Sequence, residues 1–159
     1  MSLKFFPDKV LRQICEPVKN FDAEIHELSR KMLVLMKINK GIGLAAPQVG
    51  ITKRLFVCEI ENKSLILINP RIIQTSGESK MTEGCLSLPE IRVNIKRSNR
   101  LLLNGFNPWG KEMQYEMTGL WARVVQHEMD HLNGILICDY GKNRQNKKVK
   151  KDRQDAMEI

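Results

Sequence analysis

Long apolar runs are absent from this chain of 159 residues. No stretch approaches the roughly 18 uninterrupted apolar residues that a membrane-spanning helix needs, so we expect no membrane partner. The amino-terminal segment has neither the apolar run of a secretory signal nor the acid-poor composition of a transit peptide, which favours the cytoplasm. With 42% apolar and 28% charged residues, the composition is that of a globular domain.

Cysteine is scarce, and its four residues lie far apart with no C-x-x-C pair. This spacing predicts reduced thiols rather than a disulfide framework. At least three of the four should be small core residues. The cysteines are Cys15, Cys58, Cys85 and Cys138.

The net charge of +8 is unevenly placed, because residues 141–159 hold seven Lys or Arg against three Asp or Glu. We therefore divide the chain into a single domain of residues 1–140, long enough to bury a core, and a basic tail of residues 141–159 that is helical or disordered. A basic tail indicates contact with a polyanion such as RNA, but it is also compatible with a solvated helical end.

Apolar residues at helical spacing predict an amphipathic helix over residues 23–38, with Asp22 as N-cap, and a second helix over residues 119–132. Between the helices, short strand-like runs alternate with turn residues, which is typical of hairpins. These runs are residues 54–60, 64–70, 71–76, 91–97, 100–106 and 112–117. The pattern predicts an α+β domain of short, mostly antiparallel strands.

The second helix contains His127, Glu128 and His131 in the order H-E-x-x-H. Residues four apart lie on one face of a helix, so both imidazoles can bind one ion. Such an ion lowers the pKa of a water molecule, and a carboxylate at the position of Glu128 can take the proton. An exposed helix that carries two histidines by chance is the alternative. We favour a metal-binding helix at the centre of the domain, because this helix is apolar.

A catalytic metal site usually has three protein ligands and an open position, so a third ligand is needed. The long zinc-protease signature would place a histidine at Ile137, and the one glutamate later in the chain is Glu158, within the tail. Cys85, in the turn-rich residues 83–89, is the upstream candidate. A thiolate with two imidazoles suits iron(II), zinc, cobalt or nickel rather than magnesium or calcium. The spacing alone does not exclude a buried, inert thiol.

Three segments of the chain resemble the signature motifs of peptide deformylases, in the same order and at similar spacing. They are GIGLAAPQVG (residues 41–50), EGCLS (residues 83–87) and QHEMDHL (residues 126–132). The resemblance extends over residues 6–140. It implies a metal-dependent hydrolase that removes the formyl group from N-formylmethionine at the amino terminus of newly made polypeptides and releases formate.

The same resemblance implies a role for each motif residue. The metal ligands would be Cys85, His127 and His131. They would hold one divalent transition-metal ion, iron(II) natively, with zinc, nickel or cobalt in a purified sample. Glu128 would move the proton, while the side-chain N–H of Gln48 and the backbone N–H of Leu86 would donate to the formyl oxygen.

A substrate groove is also implied, in which backbone groups near Gly43 and Gly84 pair with the peptide as an added strand. The apolar pocket for the methionine side chain would be formed by Ile42, Leu120, Val124 and the stem of Arg123. In relatives with a carboxyl-terminal helix, that helix contacts the ribosome, and the basic tail suits such a contact.

Two further points bear on the resemblance. Arg97 would pair with Asp130 and hold the metal-binding helix, and Trp121 stands where a smaller aliphatic residue is more usual in the family that the chain resembles. Two other functions remain open at this point: a metallopeptidase that cuts internal peptide bonds, and a noncatalytic RNA- or ribosome-binding protein with a structural metal.

Overall fold

The structure, a computed structural model, describes residues 1–141 and 157–159. Within these residues the chain forms two α-helices and eight strands, together with short 3-10 turns. In chain order they are α1 (Ala23–Ile38), β1 (Gly43–Ala45), β2 (Leu55–Ile60), β3 (Lys63–Ser76), β4 (Ser79–Cys85), β5 (Leu88–Arg97), β6 (Arg100–Phe106), β7 (Glu112–Thr118), α2 (Gly119–Leu132) and β8 (Met157–Glu158).

The strands form two sheets. One has five strands in the order β1-β2-β3-β6-β7, and every neighbouring pair in it is antiparallel. The other has three strands in the order β5-β4-β8, in which β4 and β5 are antiparallel and β8 is parallel to β4. The prediction of an α+β fold with mostly antiparallel strands is confirmed.

Strand β2 is buried on both faces, and this explains its nearly continuous apolar sequence. Successive side chains of a strand point to opposite faces. Leu55 and Val57 therefore pack with α1, while Phe56 and Cys58 pack with α2 on the other side of the five-stranded sheet. The α1 residues in the first layer are Ile25, Leu28, Met32 and Met36. The α2 residues in the second layer are Ala122, Val124, Val125 and Leu132.

Both helices have the bounds predicted from sequence. Helix α1 begins after Asp22, whose side chain accepts a hydrogen bond of 3.2 Å from the backbone N–H of Ile25. Helix α2 follows β7 with no connecting loop, and the corner is made at Gly119, where φ is +57°. Glycine adopts this left-handed conformation without steric cost. The corner directs α2 across the five-stranded sheet.

A third apolar cluster lies beneath the smaller sheet and fixes the end of β4. It joins β4 and β5 to the amino-terminal segment and to the turn after α2. Its buried members are Leu11, Cys85, Leu88, Val93, Ile95, Leu136 and Ile137. The cysteines Cys15, Cys58 and Cys85 are buried and Cys138 is half-buried, and all of them are free thiols as predicted.

The structure differs from the sequence prediction in three places. Residues 64–70 and 71–76 belong to one strand, β3, whose register shifts between Ile68 and Arg71. Strands β1 and β4 were not predicted, because β1 is very short and β4 has few apolar residues. Most of the basic tail, residues 142–156, lies outside the described residues, but its end forms strand β8 where a helix or disorder was expected.

In the part of the chain that the structure describes, neither helix is long and apolar enough to cross a membrane.

The layer between α1 and the five-stranded sheet should dominate the stability of this half of the domain. Met32 is fully buried there, whereas Ile38, at the end of the same helix, is 71% exposed. We expect Met32→Ala to lower the free energy of unfolding by about 2–5 kcal/mol, because it removes buried atoms and leaves a cavity. Urea denaturation measures the change.

Ile38→Ala is the matched control, with an expected change within about 0.5 kcal/mol. Equal losses of stability in the two variants would contradict the packing described for α1.

Candidate metal centre

Residues from two distant segments meet in one buried cluster. His127 and His131 lie one turn apart on α2, with ring centroids 5.0 Å apart. Cys85, at the end of β4, places its Sγ 3.4 Å from Nε2 of His131. One ligand atom from each of the three residues lies within 4.8 Å of the others. The structure therefore brings together the three predicted metal ligands.

Several buried polar atoms of this cluster make no hydrogen bond to any described residue. They are Nε2 of His127, Nδ1 of His131 and both carboxylate oxygens of Glu128. Buried polar atoms in folded proteins almost always have a partner. A cation with a bound water molecule would provide partners for Nε2 of His127 and for the Glu128 carboxylate, beside Nε2 of His131 and the thiol of Cys85. The residues present therefore fit a divalent metal ion.

The protonation states of the cluster agree with this fit. Burial lowers the pKa of His131 well below its usual value, which keeps the imidazole neutral, the form that binds metals. Burial raises the pKa of the Cys85 thiol to about 12, so a thiolate at this position requires a neighbouring cation. A metal ion would supply that charge.

Glu83 is a buried carboxylate that orients the His127 ring by binding its Nδ1 atom. It accepts two hydrogen bonds of 2.9 Å from Arg97, one of 2.6 Å from Arg123 and one of 2.9 Å from Nδ1 of His127. Burial alone would raise the pKa of Glu83, but the hydrogen bonds from Arg97 and His127 outweigh it and lower the pKa to about 2. With Nδ1 of His127 held in this way, Nε2 is the nitrogen directed at Cys85 and His131.

No role was predicted for Glu83, although it lies in the EGCLS motif. Its partners Arg97, Arg123 and His127 are distant in the chain, so no local pattern identifies it.

The predicted pair between Arg97 and Asp130 is present. Nη1 of Arg97 donates to Asp130 at 2.7 Å, and the hydroxyl of Tyr140 donates to the same carboxylate oxygen at 2.6 Å. Because Arg97 also binds Glu83, its guanidinium joins β4, β5 and α2. The helix that carries both histidines is therefore fixed to the smaller sheet by charged groups.

Glu128 is fully buried, and this burial raises its pKa well above the usual value. Its carboxylate packs against the backbone of β1 at Gly43. A Cβ atom at position 43 would lie 2.3 Å from Oε1 of Glu128, which is closer than any real contact. Glycine is required at this position so that the strand edge and the carboxylate can approach each other.

Gln48 directs its side-chain amide at the cluster. Its Oε1 accepts a hydrogen bond of 2.9 Å from the backbone N–H of Ala45. The Nε2 atom lies 3.1 Å from Oγ of Ser87 and 3.6 Å from Sγ of Cys85. A buried donor group thus stands beside the predicted metal ligands, as a catalytic donor would have to.

A groove runs beside the cluster between Ile42 and Gly84, and the end of this chain lies in it. The N–H of Ile42 donates to the carbonyl of Glu158, and the N–H of Ile159 donates to the carbonyl of Gly84, each at 3.3 Å. The N–H of Leu86 donates to the carbonyl of Ile159, also at 3.3 Å. Residues 158 and 159 of the same chain thus pair with backbone groups of Ile42, Gly84 and Leu86. The predicted pairing of a substrate peptide near Gly43 and Gly84 stays a prediction.

The predicted pocket residues differ in their surroundings. Val124 is fully buried, while Ile42 and Leu120 are partly buried against the same apolar cluster, which also contains Ile159. The guanidinium of Arg123 is directed into the Glu83 network. Its other hydrogen-bond partners are the carbonyl of Ile95, the carbonyl of Ser79 and the hydroxyl of Ser79.

Neither position considered for a third ligand of protease type contributes a ligand atom to the cluster. Ile137 is buried in the apolar layer with Leu11 and Leu88. Glu158 forms an ion pair with Arg92. The arrangement of a zinc protease is therefore not the one built here.

Comparison with known proteins agrees with this geometry. The sequence profile described as polypeptide deformylase matches residues 2–147. The peptide deformylase of Thermodesulfovibrio yellowstonii is 44% identical over 144 residues, which is 87% of this chain and 87% of that protein.

Solved structures of the same family superpose on the fold. The crystal structure of peptide deformylase from Thermotoga maritima has a TM-score of 0.85 and 43% identity, and the match covers 87% of this chain and 95% of that one. The structure of the Acinetobacter baumannii enzyme with Met-Ala-Ser bound has a TM-score of 0.83 and 29% identity, over 87% of this chain and 96% of that one. The chain belongs to the peptide deformylase family and removes the formyl group from the amino terminus of newly made polypeptides.

Proposed function

We propose that the cluster of Cys85, His127 and His131 holds the divalent metal ion of this deformylase and that α2 is the central metal-binding helix of the domain. The observation that carries the proposal is the buried cluster itself, whose ligand atoms lie within 4.8 Å of one another. The ion supplies, when bound, Lewis acidity toward the formyl group and a lowered pKa of water. Catalysis then depends on what the neighbouring side chains do.

Glu128 is the general base and acid. It takes a proton from the attacking water and delivers it to the amine nitrogen as the carbon–nitrogen bond of the formamide breaks. The products are formate and a peptide with a free amino terminus. Burial raises the pKa of Glu128 well above its usual value, which supports a group that holds a proton between taking it from water and delivering it to the amine.

Gln48 and Leu86 stabilise the negative charge that develops on the formyl oxygen. The side-chain N–H of Gln48 lies beside Cys85, and the N–H of Leu86 already binds a carbonyl oxygen in the groove. Fixed donors of this kind, removed from water, lower the barrier of acyl transfer by about 3–4 kcal/mol each.

The substrate peptide binds along the groove, pairing with backbone groups at Ile42, Gly43 and Gly84. The methionine side chain enters the apolar pocket formed by Leu120 and Val124, with the stem of Arg123 at its wall. The related Acinetobacter baumannii enzyme, which has Met-Ala-Ser bound, supports a methionine-led peptide as ligand.

Iron(II) is the native ion in this proposal, and zinc, nickel or cobalt could replace it in a purified sample. The donor set of one sulfur and two imidazole nitrogens supports an ion of this group over magnesium or calcium.

Residues 1–140 form the catalytic domain in this proposal. The enzyme acts in the cytoplasm, because its substrates are polypeptides that are made there. The tail of residues 141–159 contacts the ribosome transiently in this proposal. Its excess of basic residues would attract the phosphates of ribosomal RNA.

The first test replaces the proposed base. Glu128→Gln should lower kcat for formyl-Met-Ala-Ser by about 10²–10⁴-fold, because the proton transfer is lost. The metal content per chain should stay unchanged, since Glu128 is not among the proposed ligands. Formate release and metal analysis under anaerobic conditions provide the two measurements.

Glu116→Gln makes the same change on an exposed side chain and should retain full activity. Full activity in Glu128→Gln would refute the mechanism, whereas loss of the metal would place Glu128 among the ligands instead.

The second test removes the proposed side-chain donor. Gln48→Leu should lower kcat by about 10²–10³-fold with a much smaller change in KM, because the donor acts on charge that develops only in the transition state. Steady-state kinetics with formyl-Met-Ala-Ser measures both constants.

Ser87→Ala is the control, since it removes the other neighbour of the Gln48 amide and leaves the amide in place. A loss of less than about tenfold in Gln48→Leu, with the melting temperature unchanged, would argue against this role for Gln48.

The third test concerns the ribosome. A chain truncated to residues 1–140 should bind ribosomes more weakly than the full chain at low salt, and the difference should shrink as salt is added, because the contact is electrostatic. Co-sedimentation with ribosomes measures the binding. Equal affinity of the two chains would remove the tail from the proposal.

A further inference from the structure

We propose that β8 and Ile159 act as an internal ligand of the peptide groove, which a formylated peptide must displace before it is deformylated. The inference rests on the proposed function, because it takes the groove between β1 and β4 as the substrate site. It adds a competitor that belongs to the enzyme itself. Three features of the docked segment carry the inference: its backbone pairing, its buried side chain and its ion pair.

The backbone of the segment satisfies both walls of the groove at once. On one wall, the backbone carbonyl of Glu158 accepts a hydrogen bond from the backbone N–H of Ile42. On the other wall, Glu158 pairs in register with Gly84, and Ile159 donates to the carbonyl of Gly84. An extended peptide that fills the space between two strand edges binds in this manner. A substrate peptide would need the same groups, so the two cannot bind together.

The side chain of Ile159 occupies the position proposed for the methionine of the substrate. It is fully buried in the apolar cluster that contains Val124, and Ile42 and Leu120 pack against the same cluster. Complete burial of this isoleucine removes its apolar surface from water, which a pocket shaped for an apolar side chain allows.

The segment also uses a proposed catalytic donor. The N–H of Leu86 donates to the carbonyl oxygen of Ile159, at 3.3 Å. In the proposed mechanism the same N–H binds the formyl oxygen. Docking of Ile159 therefore blocks the side-chain pocket and one oxyanion donor together.

An ion pair on the other face of the segment fixes its register. Successive residues of a strand face opposite sides, so Glu158 points away from the pocket and pairs with Arg92. The absence of a side chain at Gly84 allows this, because a Cβ atom there would lie 3.0 Å from both the Arg92 guanidinium and the Glu158 carboxylate. The pair favours the register in which Glu158 lies opposite Gly84.

The enzyme cannot hydrolyse the docked segment as a substrate. It runs parallel to β4, so that Ile159, the later residue, is the one next to Leu86. A formylated peptide must place its amino end there and would run in the opposite direction. Strand edges pair with either direction, so the groove accepts both peptides. The docked segment presents no formyl group and is therefore an inhibitor and not a substrate.

Competition of this kind affects the two kinetic constants differently. The apparent affinity for substrate falls by the fraction of molecules with an open groove, while a bound substrate reacts at its normal rate. The segment belongs to the same chain, so its effective concentration is independent of the enzyme concentration. The proposal therefore predicts a raised KM and an unchanged kcat relative to a variant in which β8 and Ile159 do not bind in the groove.

The test is the double variant Glu158→Lys, Ile159→Ala in the metal-loaded full chain. The lysine faces Arg92 with like charge, and the alanine no longer fills the pocket. The KM for formyl-Met-Ala-Ser should fall by roughly tenfold with kcat unchanged, because the open fraction rises toward one. The control is Glu78→Lys, Ile14→Ala, which makes the same changes at side chains that are 70% and 73% exposed, and its KM should not change.

Hydrogen exchange gives a readout that does not depend on activity. The backbone amides of Ile42 and Leu86 should be protected in the native enzyme and should exchange faster in the double variant, whether or not formate is released. A native enzyme that releases no formate would refute the proposed function and leave this readout intact. Unchanged KM together with unchanged exchange at Ile42 and Leu86 would overturn the internal ligand. Protection that appears only at high enzyme concentration would also overturn it, since a second copy would then supply the segment.

Discussion

The carboxylate of Glu83 is the interaction on which the rest of the site depends. It lies in the interior with no exposed surface and binds Arg97, Arg123 and His127 at once. A buried charge of this kind is tolerated only because its partners satisfy it fully. Those partners belong to β5 and α2, so that satisfying the charge also joins the second sheet to helix α2. Loss of Arg97 or Arg123 would remove one of its two charged partners, and loss of His127 would remove a hydrogen bond to Oε1.

The same constraint links the fold to the chemistry. The two imidazoles are placed by α2, whose path is set by the corner at Gly119 and by its packing on the five-stranded sheet. Cys85 is placed by β4, which belongs to the other sheet. The metal site therefore lies at the junction of two layers, each with its own apolar cluster. A small relative shift of the layers would separate the sulfur from the nitrogens, and the Glu83 network opposes that shift.

Much of this arrangement could be predicted from the sequence, because it follows from local patterns. The bounds of both helices follow from periodicity and from the glycines beside them, and His127, Glu128 and His131 follow from spacing on one helix. The role of Glu83 could not be predicted in this way. Its partners lie 14 and 40 residues away, and only the folded chain shows which arginines reach it. Strand β8 was not predicted for another reason. A short segment next to a basic run has no periodicity, and its extended conformation depends on backbone hydrogen bonds to Ile42, Gly84 and Leu86.

Gly43 has a consequence for the way in which this site could change under selection. Any larger residue there would intrude on the carboxylate of Glu128, because even a methyl group would lie 2.3 Å from Oε1. A compound that hydrogen-bonds mainly to the main-chain atoms of Gly43 would contact a position where any substitution disturbs the proposed base, Glu128. Substitutions that give resistance to such a compound would have to lie elsewhere in the groove, because a substitution at Gly43 would also lower the activity of the enzyme.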